Sequence, residues 1–189
     1  MKVKSKSCYR VVIETKDRDG KVLKRIEKQG DALTLNFAKL LAMILVGTEE
    51  LNTKNYANFI EYGGSSETLI IGYSGYNFCY EECYEGYIEI GTGTSPPKPT
   101  DYKLENLVKR EYVKTINIIY GDNYIEVAIS GSITVNTEMD INEIGLTIRA
   151  QNNSGYLRYF LLARDVLPSP VHVTTGQTVT ITYIFRFEW

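Results

Sequence analysis

Residues 88–106 read IEIGTGTSPPKPTDYKLEN, and this stretch separates two parts of the chain that have different sequence patterns. The residues at its start, Tyr87–Ile90, have the pattern of a short strand, which runs into Gly91-Thr92-Gly93. Three prolines follow, and they hold the backbone extended and remove amide donors. These are Pro96, Pro97 and Pro99. We therefore interpret residues 91–106 as a proline-rich arm that joins a helix-bearing front half to an all-strand back half.

The back half predicts long β-strands joined by short turns. Its last strand, within residues 178–187, gives the clearest signal, because Val179 and Ile181 alternate with threonines as on a sheet with one buried face. The other predicted strands are 107–120, 124–135, 141–150 and 156–167, the last of them ended by Pro168 and Pro170. Strands of this length with tight connections predict a mainly-β fold, a β-sandwich or jelly roll.

The front half begins with a predicted hairpin over residues 1–30, whose turn is Asp17-Arg18-Asp19-Gly20. The pattern then changes to the 3.6-residue period of one amphipathic helix over residues 31–47. Asp31 is the predicted N-cap of this helix, and Gly47 is predicted to end it. We expect the helix to pack against the sheet, with contact to a neighbouring subunit as the alternative.

The chain has 189 residues, 43% of them hydrophobic, and a formal net charge of −2. This length is typical of a single domain, 1–189, that buries a core without disulfides. The balanced charge disfavours nucleic acid as a partner, since phosphates call for a concentrated basic face. The longest apolar run, Leu40–Val46, is too short to span a membrane, and no apolar region of a signal peptide follows the N-terminal lysines. We expect synthesis in the cytoplasm and no membrane span.

A tyrosine-rich stretch at residues 73–87 contains two of the three cysteines. Tyrosine suits interfaces because its ring is apolar and its hydroxyl is polar. We interpret the stretch as an inserted loop that, with the prolines of the arm, forms an interaction surface. Its tyrosines are Tyr73, Tyr76, Tyr80, Tyr84 and Tyr87.

The cysteines, Cys8, Cys79 and Cys83, are compatible with more than one state. A zinc site needs about four ligands, and the only histidine, His172, is distant in the sequence. We therefore predict no metal and no cofactor. Three cysteines cannot all pair within one chain, so a disulfide between two of them and free thiols both remain open.

No set of residues has the pattern of a catalytic site, and we predict that the chain is not an enzyme. His172 lies between two valines and has no neighbouring nucleophile in the sequence. Carboxylate pairs such as Glu138 with Asp140 occur on most surfaces, and a hydrolase that uses such a pair is kept as an alternative. Gly91-Thr92-Gly93 lacks the third glycine of a dinucleotide-binding loop.

Several segments together resemble a recurrent module in virion proteins of tailed phages and of viruses from hot environments. In that module an IGTGT-like strand end leads to a proline-bearing arm, and an E-x-G-L strand, an LLARDVLP-like strand and a threonine-alternating strand follow. The front half is similar to members in which a DGK hairpin precedes an amphipathic helix. The segments are Ile90–Thr94, Thr100–Leu104, Glu143–Leu146, Leu161–Pro168, Thr178–Phe187, Asp19–Lys21 and Asp31–Val46. The resemblance spans residues 8–47 and 87–187 and leaves out the tyrosine-rich loop.

The resemblance implies a structural role in the virion, as a capsid, turret, decoration or tail component, with no catalytic residues. It also implies a homo-oligomer that contacts other virion proteins. The alternative is a host-receptor or carbohydrate-binding module on the virion surface, whose loop tyrosines would stack on sugar rings.

Overall fold

A computed structural model describes residues 9–46, 58–68, 84–152 and 154–188. Eleven strands and one helix make up this part of the chain. They are β1 Tyr9–Lys16, β2 Val22–Gln29, β3 Ala32–Leu33, α1 Leu35–Val46, β4 Asn58–Ile60, β5 Ser66–Thr68, β6 Tyr84–Gly91, β7 Leu107–Tyr120, β8 Tyr124–Thr134, β9 Met139–Gln151, β10 Leu157–Val173 and β11 Thr178–Glu188.

Nine of the strands form one antiparallel sheet in the order β2-β1-β11-β8-β7-β6-β9-β10-β3. The sheet curls, so the inner sides of its strands pack on one another and enclose an apolar core. β4 and β5 pair separately as a small hairpin. The mainly-β, sandwich-like fold predicted from the sequence is confirmed. The predicted N-terminal hairpin is present as β1 and β2, with a turn at Gly20, whose φ is 82°.

The core centres on aromatic side chains. Tyr183 is fully buried, and its ring centroid lies 5.9 Å from that of Tyr9. Phe185 stacks on Tyr9 from one side and on Phe37 of α1 from the other, each at 5.5 Å. Leu40, one turn further along α1, packs against the same cluster. The helix therefore packs on the sheet through Phe37 and Leu40, as its apolar face predicts.

The two ends of the curled sheet meet at Asp165 on β10, a carboxylate with no exposed surface. Asp165 accepts hydrogen bonds from the Tyr9 hydroxyl at 3.1 Å and from the backbone N–H of Asp31 at 2.6 Å, and the Lys28 ammonium lies 3.6 Å away. Burial raises the pKa of Asp165 to about 6, although the Asp31 amide, Lys28 and Tyr9 oppose that shift. Asp165 thus joins β1 and β2 to β10.

The helix begins later than the sequence predicted. Residues 32–33 form β3 against β10, and Leu35 is the first helical residue. The hydroxyl oxygen of Thr34 accepts a hydrogen bond from the Phe37 amide at 3.4 Å, so Thr34 is the N-cap. Asp31, the predicted cap, instead accepts a hydrogen bond from the amide of Val166 on β10. The predicted range 31–47 is wrong at its start because a tertiary contact uses the carboxylate.

β10 extends past the two prolines that were predicted to end it. The strand runs to Val173, and Pro168 and Pro170 lie inside it. Its pairing with β9 is interrupted between Val166 and Val171, so both prolines occupy positions where no ladder hydrogen bond is made. A proline pair therefore marks a local interruption of the ladder here, and not the end of the strand.

β7 passes from one layer of the sandwich to the other. Its first half, residues 107–112, pairs with β6, and the last pair there is Tyr112 with Tyr87. Its second half, from Val113, pairs with β8, and this ladder has a register shift between Val113 and Thr115. Such shifts bend a strand and let it change layers. Beyond Tyr112, β6 and β7 diverge.

Candidate interaction surface

The main candidate surface is the second half of β7, Val113–Tyr120, which we call the β7 edge. Within the part of the chain that the structure describes, this segment pairs with β8 on one side and with no strand on the other. β6 does not fill that position because its pairing with β7 ends at Tyr87. The backbone N–H and C=O groups on the open side can therefore receive another strand.

Most side chains of the β7 edge are exposed, and the largest exposed ones from Thr115 onwards are apolar. Ile116, Ile118 and Tyr120 lie on one face and are 64%, 54% and 74% exposed. Ile119, on the other face, is 47% exposed. No charged residue occurs from Thr115 to Tyr120. An uncharged, apolar open edge of this length is the kind of strand that pairs with another chain.

The other edge of the same layer differs in its chemistry. β2 carries four charged side chains, Lys24, Arg25, Glu27 and Lys28. Arg25 also pairs with Glu14 on β1 at 2.5 Å. Charged residues on an edge strand disfavour pairing with a further strand. β2 thus carries charged residues that disfavour pairing, whereas the segment Thr115–Tyr120 of the β7 edge carries none.

A cleft of about 480 Å³ opens where β6 and β7 diverge. Glu85 and Gly86 of β6 line it, together with Tyr112, Val113 and Ile116 of β7. The other residues that line it are apolar: Ile129, Leu146, Ile148 and Leu162. The cleft therefore enlarges the apolar surface beside the β7 edge.

The arm that precedes β7 is held by a buried carboxylate, Glu143 of β9, which has no exposed surface. Its oxygens accept hydrogen bonds from the backbone N–H groups of Gly93 at 3.0 Å, Glu105 at 3.1 Å and Asn106 at 2.7 Å. The Arg164 Nε donates a fourth at 2.8 Å. Glu143 therefore binds both ends of the arm to the outer side of the sheet.

The glycines at the start of the arm are explained by the close approach of this carboxylate. A Cβ on Gly91 would lie 2.5 Å from the carbonyl oxygen of Asn106 and 2.6 Å from the Glu143 carboxylate. A Cβ on Gly93 would lie 2.5 Å from the same carboxylate. Any larger residue would push the arm away from the sheet. The Gly-x-Gly pattern thus serves packing around Glu143.

Arg164 fastens the middle of the arm. Its guanidinium is 3% exposed and pairs with Asp101 at 2.8 Å and with Glu105 at 3.6 Å. The carbonyl oxygen of Pro99 accepts a hydrogen bond from the amide of Leu35, the first residue of α1. The arm is therefore bound to the domain at both ends and in the middle. Of its prolines, Pro96 and Pro99 are exposed and Pro97 is half-buried.

A second buried carboxylate, Glu89 of β6, also has no exposed surface. The Tyr62 hydroxyl donates to it, and the Arg110 Nε lies 3.1 Å away. The Arg110 guanidinium stacks 3.8 Å from the ring of Tyr159 on β10. Burial raises the pKa of Glu89, and Tyr62 and Arg110 oppose that shift. This network joins β6, β7 and β10 beneath the turn after β4.

The predicted tyrosine surface needs correction at its C-terminal end. Tyr87 is 4% exposed, its hydroxyl donates to Glu85 at 2.6 Å, and its ring centroid lies 4.7 Å from that of Tyr112. Tyr84 already belongs to β6, so the loop predicted at 73–87 does not include its last four residues. The strand predicted to begin at Tyr87 therefore begins three residues earlier in the sequence, at Tyr84. The other predicted residues, Tyr73, Tyr76, Tyr80, Cys8, Cys79 and Cys83, lie outside the described residues.

The sequence pattern predicts β7 as a strand with the bounds 107–120, but it does not indicate that one edge of the strand is open. The available signal was the uncharged run from Ile116 to Tyr120, which is apolar on both faces of a predicted strand. The single histidine, His172, contacts Asp140 at 2.9 Å and Glu138 at 3.2 Å, and all three side chains are more than half exposed. That group is a set of polar contacts on the surface.

Comparison with family models, with curated proteins and with solved structures found no significant match. Among the described residues, no helix is long and apolar enough to cross a membrane.

Proposed function

We propose that the chain is a non-enzymatic structural subunit that assembles with copies of itself and with other proteins of a virion. The observation that carries the proposal is the β7 edge, which is open among the described residues, is largely apolar and carries no charge from Thr115 to Tyr120. Proteins that stay monomeric protect such edges with charges, prolines or covering elements. β2 has that protection, and among the described residues the segment Thr115–Tyr120 has none of it, which favours association through β7.

The Glu143 network supports the virion part of the proposal. The segments that resemble the virion module supply the members of this network: Gly93 and Asp101 come from the arm, Glu143 from β9 and Arg164 from β10. The motifs thus act together to fix one arrangement of the arm against β9 and β10. A surface that is rigid before binding loses less entropy on assembly.

Ile118→Lys is expected to weaken self-association by at least about tenfold. The substitution places a charge in the centre of the β7 edge, where it would have to be buried against an approaching strand. Sedimentation velocity and native mass spectrometry of the wild type and the variant, with and without reductant, measure the effect.

The matched control is Leu23→Lys, which makes the same kind of change at a side chain that is 51% exposed on β2. We expect Leu23→Lys to associate as the wild type does. A wild-type protein that stays monomeric at the highest concentration reached contradicts the proposal. An oligomer unchanged by Ile118→Lys removes its main support.

A further inference from the structure

We propose that the β7 edge pairs with the β7 edge of a second copy of this chain, antiparallel, with Asn117 of each copy facing Asn117 of the other. This inference rests on the proposed function and specifies the contact through which assembly begins. Pairing identical edges gives a closed two-fold contact in which the same residues serve both copies.

The extent of the regular strand limits where the two-fold axis can lie. β7 has a register shift between Val113 and Thr115, and it ends at Tyr120. Only the residues from Thr115 to Tyr120 therefore offer a regular ladder to a second strand. A ladder centred on Asn117 keeps five residues of each copy, 115–119, within this regular part.

The chemistry of the side chains selects the same register. Paired residues of antiparallel strands point to the same face. With Asn117 on the axis, Ile116 faces Ile118 of the second copy, and the two Asn117 amides can donate to and accept from each other. Moving the axis to Ile118 would set Asn117 against Ile119. Moving it to Ile116 would set Lys114, at the register shift, against Ile118.

The pairing also suits the faces of the sheet. Ile116 and Ile118 lie on the same face as their β8 partners Ile129 and Val127, so two copies would form one continuous apolar strip. No like charges are opposed along the ladder, since residues 115–120 carry none. The layer β2-β1-β11-β8-β7 would continue into the same five strands of the second copy and form a ten-stranded sheet.

The test is disulfide trapping with Asn117→Cys in the full chain, after Cys8, Cys79 and Cys83 are replaced by serine. Directly paired residues have Cα atoms about 4.5–5.5 Å apart, which a disulfide can bridge. Mild oxidation is expected to convert most of the Asn117→Cys protein into a covalent dimer, seen by intact mass and by non-reducing electrophoresis.

The matched control is Ile119→Cys on the same strand. In the proposed register, the two copies of residue 119 are four residues apart along the ladder, about 13 Å, so no disulfide should form. Combining Thr115→Cys with Ile119→Cys should restore trapping, because these positions face each other across the axis.

The outcomes separate this inference from the proposed function. An oligomer by native mass spectrometry with no trapping at residue 117, or with equal trapping at residue 119, overturns the register and leaves the proposed function standing. A monomer under all conditions contradicts both. Amide hydrogen exchange of the unmodified chain, at low and high protein concentration, serves where the serine replacements disturb folding. Exchange within residues 114–120 should slow as the concentration rises, and an unchanged rate overturns the inference.

Discussion

Glu143→Ala is expected to lower the free energy of unfolding by about 3–5 kcal/mol, the range found when one partner of a buried ion pair is removed. The substitution takes away the acceptor of three backbone N–H groups at the ends of the arm and of the Arg164 Nε. Arg164 keeps Asp101 but loses its most buried partner. Each buried donor left without an acceptor adds to the loss.

Urea unfolding followed by circular dichroism measures this loss. Glu138→Ala is the matched control, since Glu138 is 66% exposed and should change stability little. Glu143→Ala should also release the arm from the sheet. Trypsin should then cut the arm faster after Lys98 and Lys103, both of which are exposed. A loss below about 1 kcal/mol, the average for point substitutions in general, would contradict the central role given to Glu143.

The stability of the protein is expected to depend on pH through Asp165. The native state raises its pKa to about 6, from an ordinary value of 3.8, chiefly through burial. Between these two values the native state binds more protons than the unfolded chain, so this carboxyl makes the protein less stable as the pH rises from about 4 to 6. The shift corresponds to about 3 kcal/mol.

Asp165→Asn isolates this contribution because the amide does not titrate. Relative to the wild type, the free energy of unfolding of the variant should rise by about 3 kcal/mol between pH 4 and pH 7. Taking the difference between the two proteins cancels other groups, including Glu89, whose pKa burial also raises. Asp122→Asn, the same substitution at an exposed turn residue, is the matched control. A flat difference for Asp165→Asn would contradict the raised pKa.

Much of the fold could be predicted because strand alternation is a local property. The bounds of β7 agree with the predicted strand, and the last strand differs from the prediction by one residue. The errors come where a distant contact uses a residue with a local preference. Aspartate is a favoured N-cap residue, but the carboxylate of Asp31 accepts a hydrogen bond from the amide of Val166 instead. A proline normally ends a strand, but Pro168 lies where the ladder between β9 and β10 is interrupted, so β10 continues past it.

The candidate surface could be predicted only in part, because an edge is defined by which strand is missing. The sequence of β7 does not indicate that its pairing with β6 ends at Tyr112. The Glu143 network was hidden for a similar reason: nothing around residue 143 indicates a buried acid, and its partners come from 50 residues before it to 21 after it. The Gly-x-Gly pattern of Gly91 and Gly93 can be seen in the sequence. Its cause, the close approach of the Glu143 carboxylate, can be seen only in the structure.

The passage of β7 from one layer to the other has a mechanical consequence. A pull along β7, applied through a strand paired to its second half, acts parallel to the strand. It therefore shears the hydrogen bonds to β8 together and cannot open them one at a time. The same strand continues into its first half, where Arg110 contacts Glu89 in the other layer. In the proposed dimer, tension at the contact between the two copies would thus be shared by both layers of the sandwich.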